Sequence, residues 1–209
     1  MTCDCTQVSC THTLTGLAKW MSAEKDEQIL IISVDKVRDE LERTGFCAVH
    51  EKDLWQSAMA LCSFWDRCFF SHSQKVKDFH VRPLNSHIGY VSERNAEQAI
   101  GSNAPDRKEY YQLYIGQGKN RHPLVSDELW EASETYFKKA LDFGTRVLNQ
   151  VTREFSKEDL LENSMLRIIC YPDPPGLNTI VAAPHEDIDL LTVLPSSCQK
   201  GHEVVRGKK

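Results

Sequence analysis

Residues 180–194 read Ile-Val-Ala-Ala-Pro-His-Glu-Asp-Ile-Asp-Leu-Leu-Thr-Val-Leu, and the step Pro184-His185-Glu186-Asp187 decides how the chain is read. Most of the stretch is apolar and suited to a strand. Side chains alternate faces along a strand, so residues two apart point the same way. His185 and Asp187 would project together, an imidazole beside a carboxylate. That pair is two thirds of the facial triad of two histidines and one carboxylate that holds non-haem Fe(II) with positions left open. The third ligand would be a histidine on a later strand. After Asp187 the sequence offers only His202 before it reaches Lys209.

The surrounding sequence also has strand periods. Leu166–Tyr171 reads as a strand stopped by Pro172, and Asp173-Pro174-Pro175-Gly176 has the residues a turn demands. Thr179–Ala183, Ile188–Leu194 and Glu203–Arg206 read as further strands. Upstream, helical patterns dominate. Ser33 is placed to cap a helix carrying Val34, Val37 and Leu41 on one face, with Gly45 as its stop. Strands are expected at Gln28–Ser33, Phe46–Val49 and Glu109–Ile115. Asp53 is a candidate cap for a helix with the stripe Leu54, Ala58, Leu61, Cys62, Trp65 and Phe69. Residues 71–108 read as loop-rich, punctuated by Pro83, Gly89, Gly101 and Pro105. A long helix is expected over Ser126–Phe155, with the stripe Leu129, Ala132, Tyr136, Ala140, Phe143, Val147 and Val151. Helices come first and strands later, so the expected class is α+β with a mainly antiparallel sheet. The organisation reads as a poorly ordered arm over 1–28, a helix-rich region over 29–160 and a strand-rich region over 161–209.

Composition narrows the function classes. The 209 residues carry a net charge of −5, with no long basic run, which argues against a nucleic-acid or membrane-surface partner. No apolar stretch approaches a membrane span, and no secretory leader is evident. A cytoplasmic location is expected. Of the eight cysteines, Cys47, Cys62, Cys68 and Cys170 fall in apolar segments and read as reduced thiols acting as small hydrophobes.

Several stretches, in order, carry a resemblance. These are Thr44-Gly45-Phe46 with Val49-His50, Gly89-Tyr90, Asp106-Arg107-Lys108-Glu109-Tyr110, Leu166-Arg167 with Tyr171-Pro172, and Pro184-His185-Glu186-Asp187 continued by Leu190–Leu194. From about Ile29 to Lys209 the chain resembles iron(II)/2-oxoglutarate-dependent dioxygenases of the isopenicillin N synthase-like family. The resemblance implies a double-stranded β-helix, or jelly-roll, backed by helices. It implies that His185 and Asp187 bind Fe(II) and that Tyr171 reaches toward 2-oxoglutarate as cosubstrate, with ascorbate supportive. It implies oxidation of a small-molecule C–H bond by O2, with release of succinate and CO2.

The sequence departs from the family's pattern in two places. Ile169 stands where relatives often have asparagine. The family's later section, with the distal histidine and an Arg-x-Ser pair, has no counterpart, so the closing strands are expected to be missing. A truncated, inactive member, serving as an interaction module or a non-functional fragment, is therefore the alternative. Open sheet edges would then invite self-association.

Each residue also has a plainer reading. His-x-Asp recurs by chance, and a strand-end His–Asp hydrogen bond is common. His202 resembles an ordinary strand residue, and Glu186 should point away from the ligand face. Cys3, Cys5, Cys10 and His12 lack the usual zinc spacing. His72, His80 and His87 read as surface residues. Tyr90, Tyr110, Tyr111 and Tyr114 are expected to pack under the barrel, with lining of the substrate pocket as the alternative for some, and Arg167 to meet an acidic partner in a structural role.

Overall fold

The structure is a computed structural model that describes residues 31–81, 87–98, 106–171 and 189–196. It opens with strand β1 (Ile31–Ile32), which pairs in parallel with β2 (Ala48–Val49). Between them a 3-10 turn, Val34–Lys36, leads into helix α1 (Val37–Thr44). Val37 is fully buried, and Gly45 ends the helix with φ at +73°, its N–H donating to the Leu41 carbonyl at 2.8 Å. This left-handed stop is where the sequence places it.

Helix α2 spans Lys52–Trp65 and continues through a π turn at Asp66–Phe70. Its cap position is Glu51, not Asp53. Asp53 lies within the first turn, where its charge suits the positive helix end. Ala58, Leu61, Trp65 and Phe69 are buried as expected, but Cys62 and Cys68 are exposed, so neither acts as a core hydrophobe. The π turn widens the local period. It brings Phe69 and Phe70 together into the core, with ring centroids 5.3 Å apart.

The segment read as loop-rich contains helix α3 (Gln74–Asp78) and strand β3 (Gly89–Val91). Both are too short to show a period. Strand β4 (Glu109–Leu113) is buried along its whole length. It is the centre of a three-stranded antiparallel sheet, β3-β4-β5, in which β5 is Leu166–Cys170. Two strands of this sheet precede the long helix and one follows it. The expectation of helices first and strands later is therefore corrected: among the described residues, the strands of this sheet lie on both sides of α4 in sequence.

Helix α4 runs Asp127–Val151, capped by the Ser126 hydroxyl, which accepts from the Leu129 N–H at 3.3 Å. Its buried set includes Leu129, Tyr136 and Val147 from the expected stripe, plus Trp130, Phe137 and Leu148. Val151 is exposed, so the apolar face is wider than one stripe and ends earlier. Trp65 donates its indole N–H to Ser133 Oγ at 2.9 Å, and that hydroxyl donates to the Leu129 carbonyl at 2.7 Å. This buried relay locks α2 against α4.

Helix α5 (Lys157–Asn163) was not expected. Ser156 and Asp159 form a capping box at its start, which is its sequence signal. The 3-10 turn Ile115–Gln117 packs against it so closely that a Cβ on Gly116 would overlap the Leu161 carbonyl. Gly116→Ala should therefore cost about 1–3 kcal/mol, read as a lower urea midpoint.

The expected strands at Thr179–Ala183 and Glu203–Arg206 lie outside the described residues. Over Asp189–Leu194 the chain is irregular, which corrects the strand expected there. Its continuation is tied to the helices, since Trp55 Nε1 donates to the Ser196 carbonyl at 2.9 Å. Val193 also lies against the bare Cα of Gly144 in α4. Among the described residues, no helix is long and apolar enough to cross a membrane.

Burial of Tyr136 pushes its phenol up from 10.0 to about 12, so the native state holds a proton that the unfolded chain releases. That stability is complete below about pH 10 and is lost as pH rises through about 12. Thermal melts from neutral to strongly alkaline pH should show the loss, and Tyr136→Phe should reduce it.

Candidate functional site

The alternation of β4 gives its sheet two different faces. Tyr111 and Leu113 point to the helices, where the Tyr111 ring lies 4.9 Å from Trp65 and 5.1 Å from Phe69. His80, expected at the surface, is half-buried here, its Nδ1 sharing a hydrogen bond of 3.2 Å with the Tyr111 hydroxyl. Glu109 lies on the same face and meets Lys77 of α3 at 2.7 Å, with the Tyr90 hydroxyl donating to it at 2.5 Å.

The other face carries Lys108, Tyr110 and Gln112, all buried. Strand register sets Gly89, Gln112 and Arg167 in one row and Val91, Tyr110 and Ile169 in the next. Arg167 finds the acidic partner expected of it: its guanidinium spans Glu97 with contacts of 3.0 and 3.2 Å and stacks 4.7 Å from the Tyr110 ring centre. Lys108 reaches Glu97 at 3.2 Å and Asp106 at 3.0 Å. Burial works to raise the Glu97 carboxyl, but Arg167 and Lys108 outweigh it and hold the group below its ordinary value. Burial likewise works to lower Lys108, and Asp106 and Glu97 reverse it. Glu97 and Lys108 are thus each held in the charged form.

Tyr171 follows β5 directly, with about half its surface exposed. Partial burial raises its phenol, while Lys108 and Arg167 pull the other way. The structure therefore puts Tyr171 in the electrostatic neighbourhood of the polar face. His185 and Asp187, the expected metal ligands, lie outside the described residues, as do His202, Cys3, Cys5, Cys10 and His12. Among the described residues, no cluster of three or more His, Cys, Asp or Glu side chains could hold a metal ion. Sequence reasoning gave no role to Glu97, Asp106 or Gln112. For Gln112 the signal was present in Lys108-Glu109-Tyr110-Tyr111-Gln112-Leu113, a stretch with polar residues at positions of both parities.

No family model and no curated protein sequence matches the chain. A crystal structure of a protein from Shewanella oneidensis that carries the name "Putative oxygenase" is similar to it, at 26% identity and a TM-score of 0.55. The chain shares that protein's fold over the aligned part. The match takes in 76% of this chain and 60% of that one, so the chain spans less than two thirds of the protein it resembles.

Proposed function

We propose that the chain is an oxygenase that oxidises a C–H bond of a small molecule, with Fe(II) held by His185 and Asp187 and 2-oxoglutarate as cosubstrate. The observation that carries this reading is the similarity to the structure named as an oxygenase. The His-x-Asp spacing at 185–187 supplies the metal part.

In this reading the three-stranded sheet belongs to a jelly-roll, and the protein works in the cytoplasm. The metal and cosubstrate, when bound, supply the oxygen-activating chemistry. The chain's own residues bind and orient. His185 offers a neutral imidazole nitrogen and Asp187 a carboxylate oxygen, and the Tyr171 hydroxyl serves as a hydrogen-bond partner for the cosubstrate. The buried, internally neutralised face behind Tyr171 keeps water from the bound molecule.

The test is succinate formation by the purified chain supplied with Fe(II), 2-oxoglutarate and ascorbate. Iron-dependent succinate supports the oxygenase. A chain that binds metal yet yields none supports the inactive interaction module.

A further inference from the structure

Helices α2 and α4 leave an open groove between them. The two run antiparallel, because Trp65 meets Ser133 at 2.9 Å and Ser57 meets Lys139 at 2.8 Å. Residues three and four apart share a helix face, so Ser57, Leu61 and Phe64 of α2 confront Ala132, Thr135 and Tyr136 of α4 across the groove. Its volume is about 490 Å³, within the range of small-ligand pockets. The floor is apolar, with Leu61 and Tyr136 buried and Phe64 and Ala132 partly so. Tyr136 is 6% exposed, and no hydrogen bond contributes to the rise of its phenol. Among the described residues its hydroxyl has no hydrogen-bond partner, yet it is not one of the enclosed polar atoms left unpartnered, so it reaches the open space of the groove. One end of the groove is acidic, lined by Glu128 and Glu131 of α4. Their neighbours Asp127 and Glu134 pair with Lys119 and Lys138, whereas Glu128 and Glu131 enter no ion pair among the described residues. Hydrogen bonds from its own N–H and from the Ser126 hydroxyl hold the Glu128 carboxyl below its ordinary value.

We propose that this groove binds a small organic cation, an ammonium carried on an apolar body. The floor takes the body, and its burial supplies most of the affinity, because exposed carboxylates are individually weak partners. Glu128 and Glu131 set the sign of the charge. The aromatic rings of Phe64 and Tyr136 favour a cation in the same sense. The Tyr136 hydroxyl oxygen can accept an ammonium N–H. Lys139 lies at the other end, tied to Ser57. Eight residues of helix, about 12 Å, separate it from Glu131, so salt screens its charge from the acidic end. An anion in the groove would face the two carboxylates without compensation.

The assignment does not use the oxygenase reading, and binding is measured on the full chain without iron. Phenethylamine, a cation at neutral pH, and phenylpropionate, an anion of similar size, are the probes. Saturation-transfer NMR at low salt should show phenethylamine bound more tightly than phenylpropionate. The double variant Glu128→Gln, Glu131→Gln should weaken phenethylamine about fivefold, the usual worth of two exposed ion pairs, and remove most of the preference. Added salt should narrow the preference in the wild-type chain. Ala60 lines the groove at an exposed position of α2, so Ala60→Trp should fill it and block phenethylamine. Should Ala60→Trp fail to fold by circular dichroism, the glutamine variant decides. Equal binding of the two probes would mark a merely apolar groove and overturn the assignment. So would tighter phenylpropionate binding, no phenethylamine binding, or phenethylamine affinity unchanged in either folded variant.

Discussion

Replacing Glu109 with alanine should cost about 3–5 kcal/mol of folding stability, the usual effect of stripping one partner from a buried ion pair. The Lys77 and Glu109 side chains are only 9% and 11% exposed, and Lys77 Nζ lies 2.9 and 2.7 Å from the two carboxylate oxygens. The Tyr90 hydroxyl donates to the same carboxylate, and its titration is pushed far upward, first by burial and then by that bond. Without the carboxylate, among the described residues a buried ammonium keeps only a long contact of 3.4 Å to the Phe70 carbonyl, and the phenol donates only across 3.4 Å to Gln74. Domain stabilities are commonly about 5–15 kcal/mol, so the variant should be marginal or unfolded. The double variant Lys77→Met, Glu109→Leu replaces the pair with apolar groups of similar size and should regain most of the loss. Urea denaturation measures both. A loss below about 1 kcal/mol in Glu109→Ala would mean that water reaches the pair.

The parts of the fold that show in the sequence are those with a long period or a sharp punctuation mark. Gly45 ends α1 because only a residue that tolerates positive φ can, and the Ser126 cap with its long apolar stripe announces α4. Leu166–Cys170 is legible because a branched apolar run is stopped by proline. Short elements are not legible. Helix α3 and strand β3 lean on partners far away in sequence, while α5 has only its capping box as a local mark. Burial along β4 misleads in a different way. Glu109 on one face and Lys108 on the other are buried only because Lys77 and Glu97 arrive from other segments, with Asp106 nearby in sequence, to neutralise them. The candidate site divides along the same line. The His185–Asp187 pair is a local pattern and is read from the sequence alone. The polar face behind Tyr171 depends on the pairing of β3, β4 and β5 and appears only in three dimensions.

His185→Ala and Asp187→Ala should each lower affinity for divalent iron by about 100-fold or more. Disturbing a residue that merely supports a metal ligand already costs about 10–100-fold, and a lost ligand costs more. The loss should appear without loss of fold. Among the described residues, the buried cluster of Trp65, Phe69, Tyr111, Leu113, Leu129 and Ile168 is built by the helices and the three-stranded sheet. Affinity should also fall as pH drops below the ordinary histidine range, because only the neutral imidazole binds metal.

Anaerobic Fe(II) titration of the wild-type chain beside these two variants tests the central claim most directly. The account predicts saturable binding near one iron per chain, lost in both variants while their circular dichroism is unchanged. Binding of equal strength in all three proteins would contradict it.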